Sequence, residues 1–425
     1  MDVKRYPRVG ETIFHERLEN GLAVYVAAKE EFNRSYAFFA THYGGMDMRF
    51  RTDGEWQDTP AGVAHFLEHK MFDMPHGNAL QTLSANGASP NAFTGIDVTG
   101  YYFSTREHFE ENLRTLLSFV STPYFTKESV DKEQGIIGQE IRMVEDDPEN
   151  QVFFAMLAGL YQNHPIRTNI IGTVQSISQI TADTLYACHR AFYDPANMAL
   201  CVAGNVDPKR VLSLAREILP PKGGEPVERD YGGEEALEAV CRRTQLEMEV
   251  STPIFQLGWK VRPARAGEDR MSRRVLFELA LEVLLGTSSP LYAELYSQGL
   301  VNQNYSYGYE EHDGCAFLTV GGESPDPDAL MERIMARGER IAAEGVDEAL
   351  FHRLKKASYG AWVRSLNSFE HLCIGMAQAH FAKTDFLTFP QIYDKLEKQQ
   401  IEAVLREYIT PERAALAVVM PKEEL

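Results

Sequence analysis

The sequence lacks the cysteine patterns that mark disulfide-rich proteins and zinc knots. Its 425 residues include five scattered cysteines without Cys-x-x-Cys spacing, namely Cys188, Cys201, Cys241, Cys315 and Cys373. An odd number of isolated cysteines does not form a disulfide framework, so we expect buried reduced thiols.

Long hydrophobic runs and excess positive charge are also missing. No window approaches about 18 uninterrupted apolar residues, so we expect no transmembrane helix. The N-terminus has no apolar run of the signal-peptide type, and we therefore expect a cytoplasmic protein. The 42 Lys and Arg are outnumbered by 61 Asp and Glu, which gives a formal net charge of −19. This balance argues against nucleic-acid binding, which normally needs a basic patch that neutralises phosphates.

The chain is long enough for two hydrophobic cores. Its 425 residues predict two domains of roughly 200 residues each. The stretch 219–237 is rich in Pro, Gly and charge, which is typical of a linker, and the strand and helix pattern restarts after it. We predict an N-terminal domain over 1–222, a linker over 223–243 and a C-terminal domain over 244–425.

The order of predicted elements is similar in the two halves, with helical segments between apolar runs that favour strands. The clearest strands are predicted at 21–29, 36–43, 197–204, 255–261, 315–322 and 414–420. This mixture predicts an α+β fold in which each domain is a sheet with helices packed mainly on one face. We also suspect an internal duplication, although no residue-level repeat shows it.

Residues 65–69 read His-Phe-Leu-Glu-His within a segment of helical periodicity. Histidines four apart lie on one face of a helix, where both imidazoles can bind one Zn²⁺. Glu68 can act there as the general base of a zinc peptidase, in the HxxEH form of the motif. Asp58, Thr59 and Pro60 predict the helix start, with a side-chain cap followed by proline. The alternative is two surface histidines on an amphipathic helix.

A zinc hydrolase needs a third protein ligand, and the best candidates lie in the acidic stretch 132–150. Glu133 and Glu140 are seven apart, close to two helical turns, and share a helix face. Ile136 and Ile137 are expected to pack against the core. One carboxylate could bind zinc while the other orients a histidine, and spacing alone does not choose between them. The alternative is a solvated acidic helix face.

Several blocks of the sequence resemble the pitrilysin or insulinase-type zinc peptidases (peptidase family M16), in particular the short two-domain branch that includes processing peptidase subunits. These blocks are TPAGVAHFLEHKMF, SANGASPNAFTGIDVTGYYF, the helix from Glu133 to Glu140, HPIRTNIIGTVQSISQIT and FYDPANMALCVAGNVD. The resemblance covers nearly the whole chain. It implies two similar domains with mostly antiparallel sheets, a peptidase chamber and one zinc ion per chain.

The resemblance also implies a role for each candidate site residue. His65, His69 and Glu140 become the zinc ligands, Glu68 the general base and Glu133 a supporting group beside the ligands.

Two further residues, Asn91 and Ala92, fall on the family's edge strand, which binds substrate backbone by strand addition. That mode reads main chain and tolerates varied substrate sequences. Without the resemblance, Asn91 is more typical of a turn.

The sequence departs from the family pattern in its second half. Many relatives carry an Arg and a Tyr seven residues apart, which are thought to bind substrate and polarise the scissile carbonyl. The matching stretch here is AELYSQGLVNQNYSYGY, residues 293–309. It has no arginine before Gly299-Leu300, and its tyrosines Tyr305, Tyr307 and Tyr309 come after that pair. Either a nearby tyrosine substitutes for the pair, or another subunit provides it. We therefore expect a homodimer, or a heterodimer with a zinc-less subunit that supplies the Arg/Tyr pair. The role of the three tyrosines stays open, since alternating aromatics on a strand more often form one packed face.

These features favour a zinc-dependent endopeptidase subunit that cleaves peptides or unfolded segments. The alternative is a non-catalytic or assembly subunit of a peptidase-like complex, which would not need His65, Glu68, His69 and Glu140 together. A zinc deaminase is least favoured, because its Cys-x-x-Cys pattern is missing.

Overall fold

The computed structural model describes residues 1–52, 54–224 and 226–422 of the chain. Its strands are, in chain order, β1 (Asp2–Tyr6), β2 (Glu11–Arg17), β3 (Ala23–Ala28), β4 (Ser35–Thr41), β5 (Arg49–Thr52), β6 (Glu55–Asp58), β7 (Asp73–Met74), β8 (Gly77–Asn78), β9 (Ser89–Thr94), β10 (Thr99–Thr105), β11 (Met198–Gly204), β12 (Glu228–Arg229), β13 (Arg243–Met248), β14 (Ile254–Val261), β15 (Ser306–His312), β16 (Cys315–Glu323) and β17 (Ala414–Pro421).

Its helices are, in chain order, α1 (Val63–Met71), α2 (Ala79–Ala85), α3 (Phe109–Ser121), α4 (Lys127–Glu145), α5 (Pro148–Leu160), α6 (Val174–Ile177), α7 (Ala182–Phe192), α8 (Pro208–Ile218), α9 (Arg270–Leu285), α10 (Pro290–Ser297), α11 (Pro327–Glu344), α12 (Glu348–Ser365), α13 (Phe369–Phe381), α14 (Phe389–Lys395) and α15 (Lys398–Tyr408). Short 3₁₀ turns lie at Pro165–Arg167, Pro195–Asn197 and Phe386–Thr388.

The first compact unit comprises Met1–Ile141, Asn169–Asp230 and Val363–Thr388. Its main sheet has the strand order β1-β2-β3-β11-β4-β10-β9. Strands β3 and β11 are parallel, and the other neighbours are antiparallel. Every residue of β4 and β11 is buried, because these strands are apolar on both faces and helices such as α3 and α13 contact β4.

The second compact unit comprises Arg142–Thr168, Tyr231–Trp362 and Phe389–Leu425. Its sheet has the order β13-β17-β14-β16-β15, in which β13 and β17 are parallel and the other neighbours are antiparallel. The predicted α+β class with mostly antiparallel sheets is therefore confirmed.

The two sheets share one topology. Five strands are compared in each unit: β3, β4, β9, β10 and β11 in the first, and β13 to β17 in the second. In both sets the first strand pairs in parallel with the fifth. The fifth strand then pairs with the second, the second with the fourth, and the fourth with the third. The order β3-β11-β4-β10-β9 thus repeats as β13-β17-β14-β16-β15. A shared order that includes the same parallel pair supports the suspected internal duplication.

Each unit takes one helical segment from the other half of the chain. Helix α5 packs on β14, where a Cβ added at Gly258 would lie 2.2 Å from the Met156 sulfur, and α13 contacts β11 and β4 of the first unit. The predicted domains, 1–222 and 244–425, are continuous stretches of chain and do not include this exchange. The sequence does not show which of two sheets an apolar helix covers. The junction between Asp230 and Tyr231 does fall inside the predicted linker.

Within the described residues, no single helix has both the length and the hydropathy of a membrane span. Helices α9 and α10 reach that length and hydropathy only when they are taken together, and they are bent by 44° relative to each other.

Glu235, in the predicted linker, is held tightly within the second unit. Its carboxylate accepts backbone N–H bonds from Gln162, Asn163 and His164 at 2.9, 2.7 and 2.7 Å, and Lys260 Nζ donates to it at 3.1 Å. Burial alone would raise the pKa of Glu235, but the three backbone donors and Lys260 lower that pKa to about 2. Burial also lowers the pKa of Lys260, so the desolvation of this ammonium offsets part of the stabilisation that Glu235 provides.

Replacing Glu235 with glutamine is therefore expected to lower the free energy of unfolding at pH 7, by about 3 kcal/mol. A carboxylate whose pKa is depressed in the folded state stabilises the fold above its unfolded pKa of 4.5 and loses that effect as pH falls toward 2. The difference between the two proteins should shrink steadily from pH 5 downward in urea unfolding. Glu234→Gln, at the exposed neighbouring position, is the matched control. A pH-independent difference would contradict this account.

Candidate metal centre

Helix α1 carries the HxxEH residues and begins later than predicted. It starts at Val63, and its N-cap is Gly62 with φ of 93° and no side-chain cap. Asp58 ends strand β6, and the Thr59 hydroxyl donates to the Met48 carbonyl, so the predicted side-chain cap is wrong. Glycine is required at 62 because φ is positive and a Cβ would lie 2.5 Å from the Ile171 carbonyl oxygen.

Three side chains form a cluster that could hold a metal ion: His65 and His69 on α1 and Glu140 on α4. Their candidate ligand atoms all lie within 4.8 Å of one another. Nε2 of His65 is 3.5 Å from Glu140 Oε1, and Nε2 of His69 is 3.6 Å from Glu140 Oε2. All three residues belong to the first compact unit.

These separations fit a shared metal ion better than direct hydrogen bonds. Hydrogen bonds between nitrogen and oxygen are usually about 2.7–3.2 Å long. Two ligand atoms about 2.1 Å from one tetrahedral ion lie about 3.4 Å apart. The 3.5 and 3.6 Å distances at Glu140 match the second geometry. Two imidazoles and one carboxylate are also a ligand set that zinc hydrolases use.

The structure distinguishes the two glutamates that spacing left open. Glu133 Oε1 lies 3.1 Å from Nδ1 of His69, on the side of the ring away from Glu140. An acceptor at Nδ1 favours the tautomer whose Nε2 carries the lone pair a metal requires. The acidic residues at 145–147 and 149 are exposed, as the solvated-face alternative predicts, whereas the side chains of Glu133 and Glu140 are 15% and 39% exposed.

The charges in the cluster shift one another's pKa values. Burial alone would lower the pKa of His69, but its hydrogen bond to Glu133 and the negative charge of the nearby carboxylates raise that pKa. The adjacent His65 ring lowers the pKa of Glu140. Burial would raise the pKa of Glu133, yet His69 and Lys70 together lower it. The histidines and Lys70 therefore favour the ionised forms of Glu133 and Glu140.

Glu68 lies in the same helix and is only 8% exposed. Burial raises its pKa, an effect that the nearby His65 and the Thr94 hydroxyl oppose. Thr94 Oγ1 donates to Glu68 Oε2 at 2.8 Å, which fixes one oxygen of the carboxylate.

Asn91 and Ala92 lie in β9, opposite Tyr102 and Tyr101 of β10. Strand β9 ends the order of its sheet, so its second edge pairs with no strand among the described residues. The turn alternative for Asn91 is therefore wrong. The asparagine side chain instead accepts from the Ala92 N–H at 2.9 Å, a local bond compatible with an extended backbone.

Two residues that the sequence did not single out belong to this centre. Thr94 stands three residues after Asn91 in the block SANGASPNAFTGIDVTGYYF, in which only Asn91 and Ala92 were given a role. Its hydroxyl donates to Glu68, which lies 26 positions earlier in the chain. Lys70 is fully buried in α1. A lysine directly before the apolar pair Met71-Phe72 in the predicted helix was the available signal for it.

The second half carries no comparable centre among the described residues. The hydroxyls of Tyr307 and Tyr309 donate to Glu282 and Glu311 at 2.5 and 2.6 Å, and the Tyr305 ring packs on Tyr307 with centroids 6.1 Å apart. These contacts lie within the second unit. They show the three tyrosines packed within the second unit, in line with the packed-face interpretation.

Known proteins are similar to this chain in sequence and in fold over nearly its whole length. Residues 53–174 match the family described as "Insulinase (Peptidase family M16)", and residues 179–358 match "Peptidase M16 inactive domain". The first match contains every residue of the candidate metal centre.

Individual relatives agree with these matches. The uncharacterized zinc protease YmfH of Bacillus subtilis is 38% identical over 428 residues, which cover 98% of this chain and 98% of that protein. The crystal structure of an M16-like peptidase from Alicyclobacillus acidocaldarius has a TM-score of 0.91 at 33% identity, covering 97% of this chain and 99% of that one. A protease from Helicobacter pylori shares the fold, with a TM-score of 0.80 at 20% identity over 96% of this chain and 99% of that one.

Proposed function

Because this chain belongs to the insulinase family of peptidases (peptidase family M16), we propose that it is a zinc-dependent endopeptidase subunit that cleaves peptides or unfolded segments. One observation carries the proposal. His65, His69 and Glu140 converge with ligand atoms within 4.8 Å of one another, and Glu68 stands beside them. A scaffold subunit has no need to keep such a set together.

Each residue has a distinct role in the proposed reaction. His65, His69 and Glu140 would hold Zn²⁺, which supplies the Lewis acidity that polarises the peptide carbonyl and activates water. Glu68 takes the proton from the attacking water and delivers it to the leaving amine. Thr94 holds one oxygen of Glu68 in place during both transfers. Glu133 keeps the His69 ring oriented.

Substrate is proposed to lie along the exposed edge of β9, which includes Asn91 and Ala92. Main-chain hydrogen bonds to an edge strand hold a peptide in extended form, whatever its side chains. An extended segment has to be unfolded before it can bind, which favours peptides over folded proteins.

The proposal includes a dimer. The stretch 293–309, which contains Gly299-Leu300, has no arginine. The group that stabilises the transition-state oxyanion is therefore proposed to be supplied by a zinc-less partner subunit or, in a homodimer, by a nearby tyrosine. Peptide hydrolysis by the chain alone and with candidate partners distinguishes these arrangements. A cytoplasmic location stays a prediction.

The metal content of the purified chain, measured by elemental analysis, tests the proposed function without knowledge of the substrate. We expect about one zinc ion per chain in the unaltered protein and none in His65→Ala, because that change removes one of the proposed protein ligands. His76→Ala is the matched control, since His76 is an exposed histidine just beyond α1. Lack of zinc in the unaltered chain, even after zinc is supplied, would favour the non-catalytic or assembly subunit instead.

A further inference from the structure

Lys70, the residue after His69 on α1, is buried beside the candidate metal centre. Its side chain is 2% exposed, and it is one of the largest fully buried side chains in the described residues. An ammonium group loses its hydration when buried and is stable only where acceptors replace the lost water. The partners of this charge therefore indicate why a lysine is present.

Three acceptors surround the ammonium. The carboxylate of Asp73, in β7, accepts a hydrogen bond from it. The Ser129 carbonyl oxygen lies 3.3 Å from Nζ, and Glu133 Oε2 lies 3.6 Å away. Ser129 and Glu133 are one turn apart on α4, so Lys70 links the helix that carries the histidines to the helix that carries Glu140.

Glu133 is consequently held at both oxygens. Oε1 contacts Nδ1 of His69 at 3.1 Å, while Oε2 faces Lys70. The hydrogen bond at one oxygen and the ion pair at the other both oppose rotation of the carboxylate, and they favour one direction of its contact with His69. That contact in turn aims Nε2 of His69 toward Glu140, 3.6 Å away.

Packing alone does not require the charge. A methionine has a similar length and would fill the same space between α1 and α4 without the desolvation that an ammonium suffers. The lysine therefore contributes something that an apolar side chain lacks, and its contact with Glu133 indicates what that is.

We propose that Lys70 is a positioning residue of the metal centre, which holds Glu133 and thereby fixes the His69 ring and strengthens zinc binding. This inference rests on the proposed zinc site. It adds a third layer to that site: Lys70 holds Glu133, Glu133 holds His69, and His69 meets the metal.

The test is the zinc dissociation constant of the full chain, measured by competition with a chromogenic chelator after metal removal and retitration. Lys70→Met is expected to weaken zinc binding about tenfold, the lower end of the range for groups that support metal ligands. Lys260→Met is the matched control. Lys260 is equally buried and donates to Glu235 and the Ala236 carbonyl in the second unit, so its loss should leave zinc affinity unchanged within about twofold.

A second comparison separates positioning from general destabilisation. In a Glu133→Gln background, Lys70→Met should cost less than about twofold in zinc affinity, because its route to His69 is already broken. A tenfold loss in both backgrounds, or no loss in the folded single variant, would overturn the inference. Circular dichroism establishes folding, and Lys70→Gln, which keeps a donor without the charge, replaces Lys70→Met if that variant does not fold.

The outcomes distinguish this inference from the proposed function. Zinc bound equally well by the unaltered chain and by Lys70→Met overturns only the role of Lys70. Failure of the unaltered chain to bind zinc overturns the proposed site, and the role of Lys70 with it.

Discussion

A chain with Glu68→Gln is expected to keep about one zinc ion and to lose peptide hydrolysis by about 10²–10⁴-fold in kcat. Glutamine has the shape of glutamate and can still accept from Thr94, so the local structure and the ligands should be retained. It cannot take a proton from water at neutral pH. The loss should therefore appear in kcat rather than in metal content or in KM.

Glu128→Gln is the matched control for this variant. Glu128 is an exposed glutamate in the first turn of α4, the helix that carries Glu133 and Glu140. We expect the activity of this control to equal that of the unaltered chain. Full activity in Glu68→Gln would show that another group acts as the base, and loss of zinc there would show that Glu68 helps to hold the metal.

The second large effect is expected at Glu140. Glu140→Gln should weaken zinc binding by more than about 100-fold, because it replaces an anionic ligand with a neutral amide. Glu133→Gln should weaken it by about 10–100-fold, the range typical of groups that orient a ligand. Both dissociation constants can be measured by chelator competition at one pH, with the unaltered chain alongside.

The order of these two effects decides the roles of the glutamates. Glu140 is near both Nε2 atoms, whereas Glu133 is near Nδ1 of one ring only. A greater loss in Glu133→Gln would exchange their roles and would mean that His69 binds the metal through Nδ1. Equal losses would leave the centre without a distinct third ligand.

Local features of this centre could be predicted from the sequence because helices impose them. Histidines four apart share a face of α1, and glutamates seven apart share a face of α4, whatever the rest of the chain does. The structure has these helices at Val63–Met71 and Lys127–Glu145, close to the segments 61–74 and 127–146 that the sequence predicts as helical.

Other local predictions failed where distant contacts prevailed. The start of α1 is set by a loop in which Thr59 bonds to Met48 and Gly62 lies against Ile171, not by a side-chain cap. Ile136 was expected against the core but is 47% exposed, while its neighbour Ile137 is fully buried. Adjacent helix positions point about 100° apart, so only one of the two could face the core.

The sequence by itself therefore determined the residue types of the candidate ligands, their spacing and the helices that carry them, since spacing and helices follow from local periodicity. Only the tertiary structure decided which atoms meet. The packing of α1 beside α4 brings Glu140 to both histidines, places Glu133 behind His69 and buries Lys70 between the helices. Thr94 reaches Glu68 only because β9 contacts α1. Such meetings join residues far apart in the chain, and no local pattern encodes the orientation of one packed element against another.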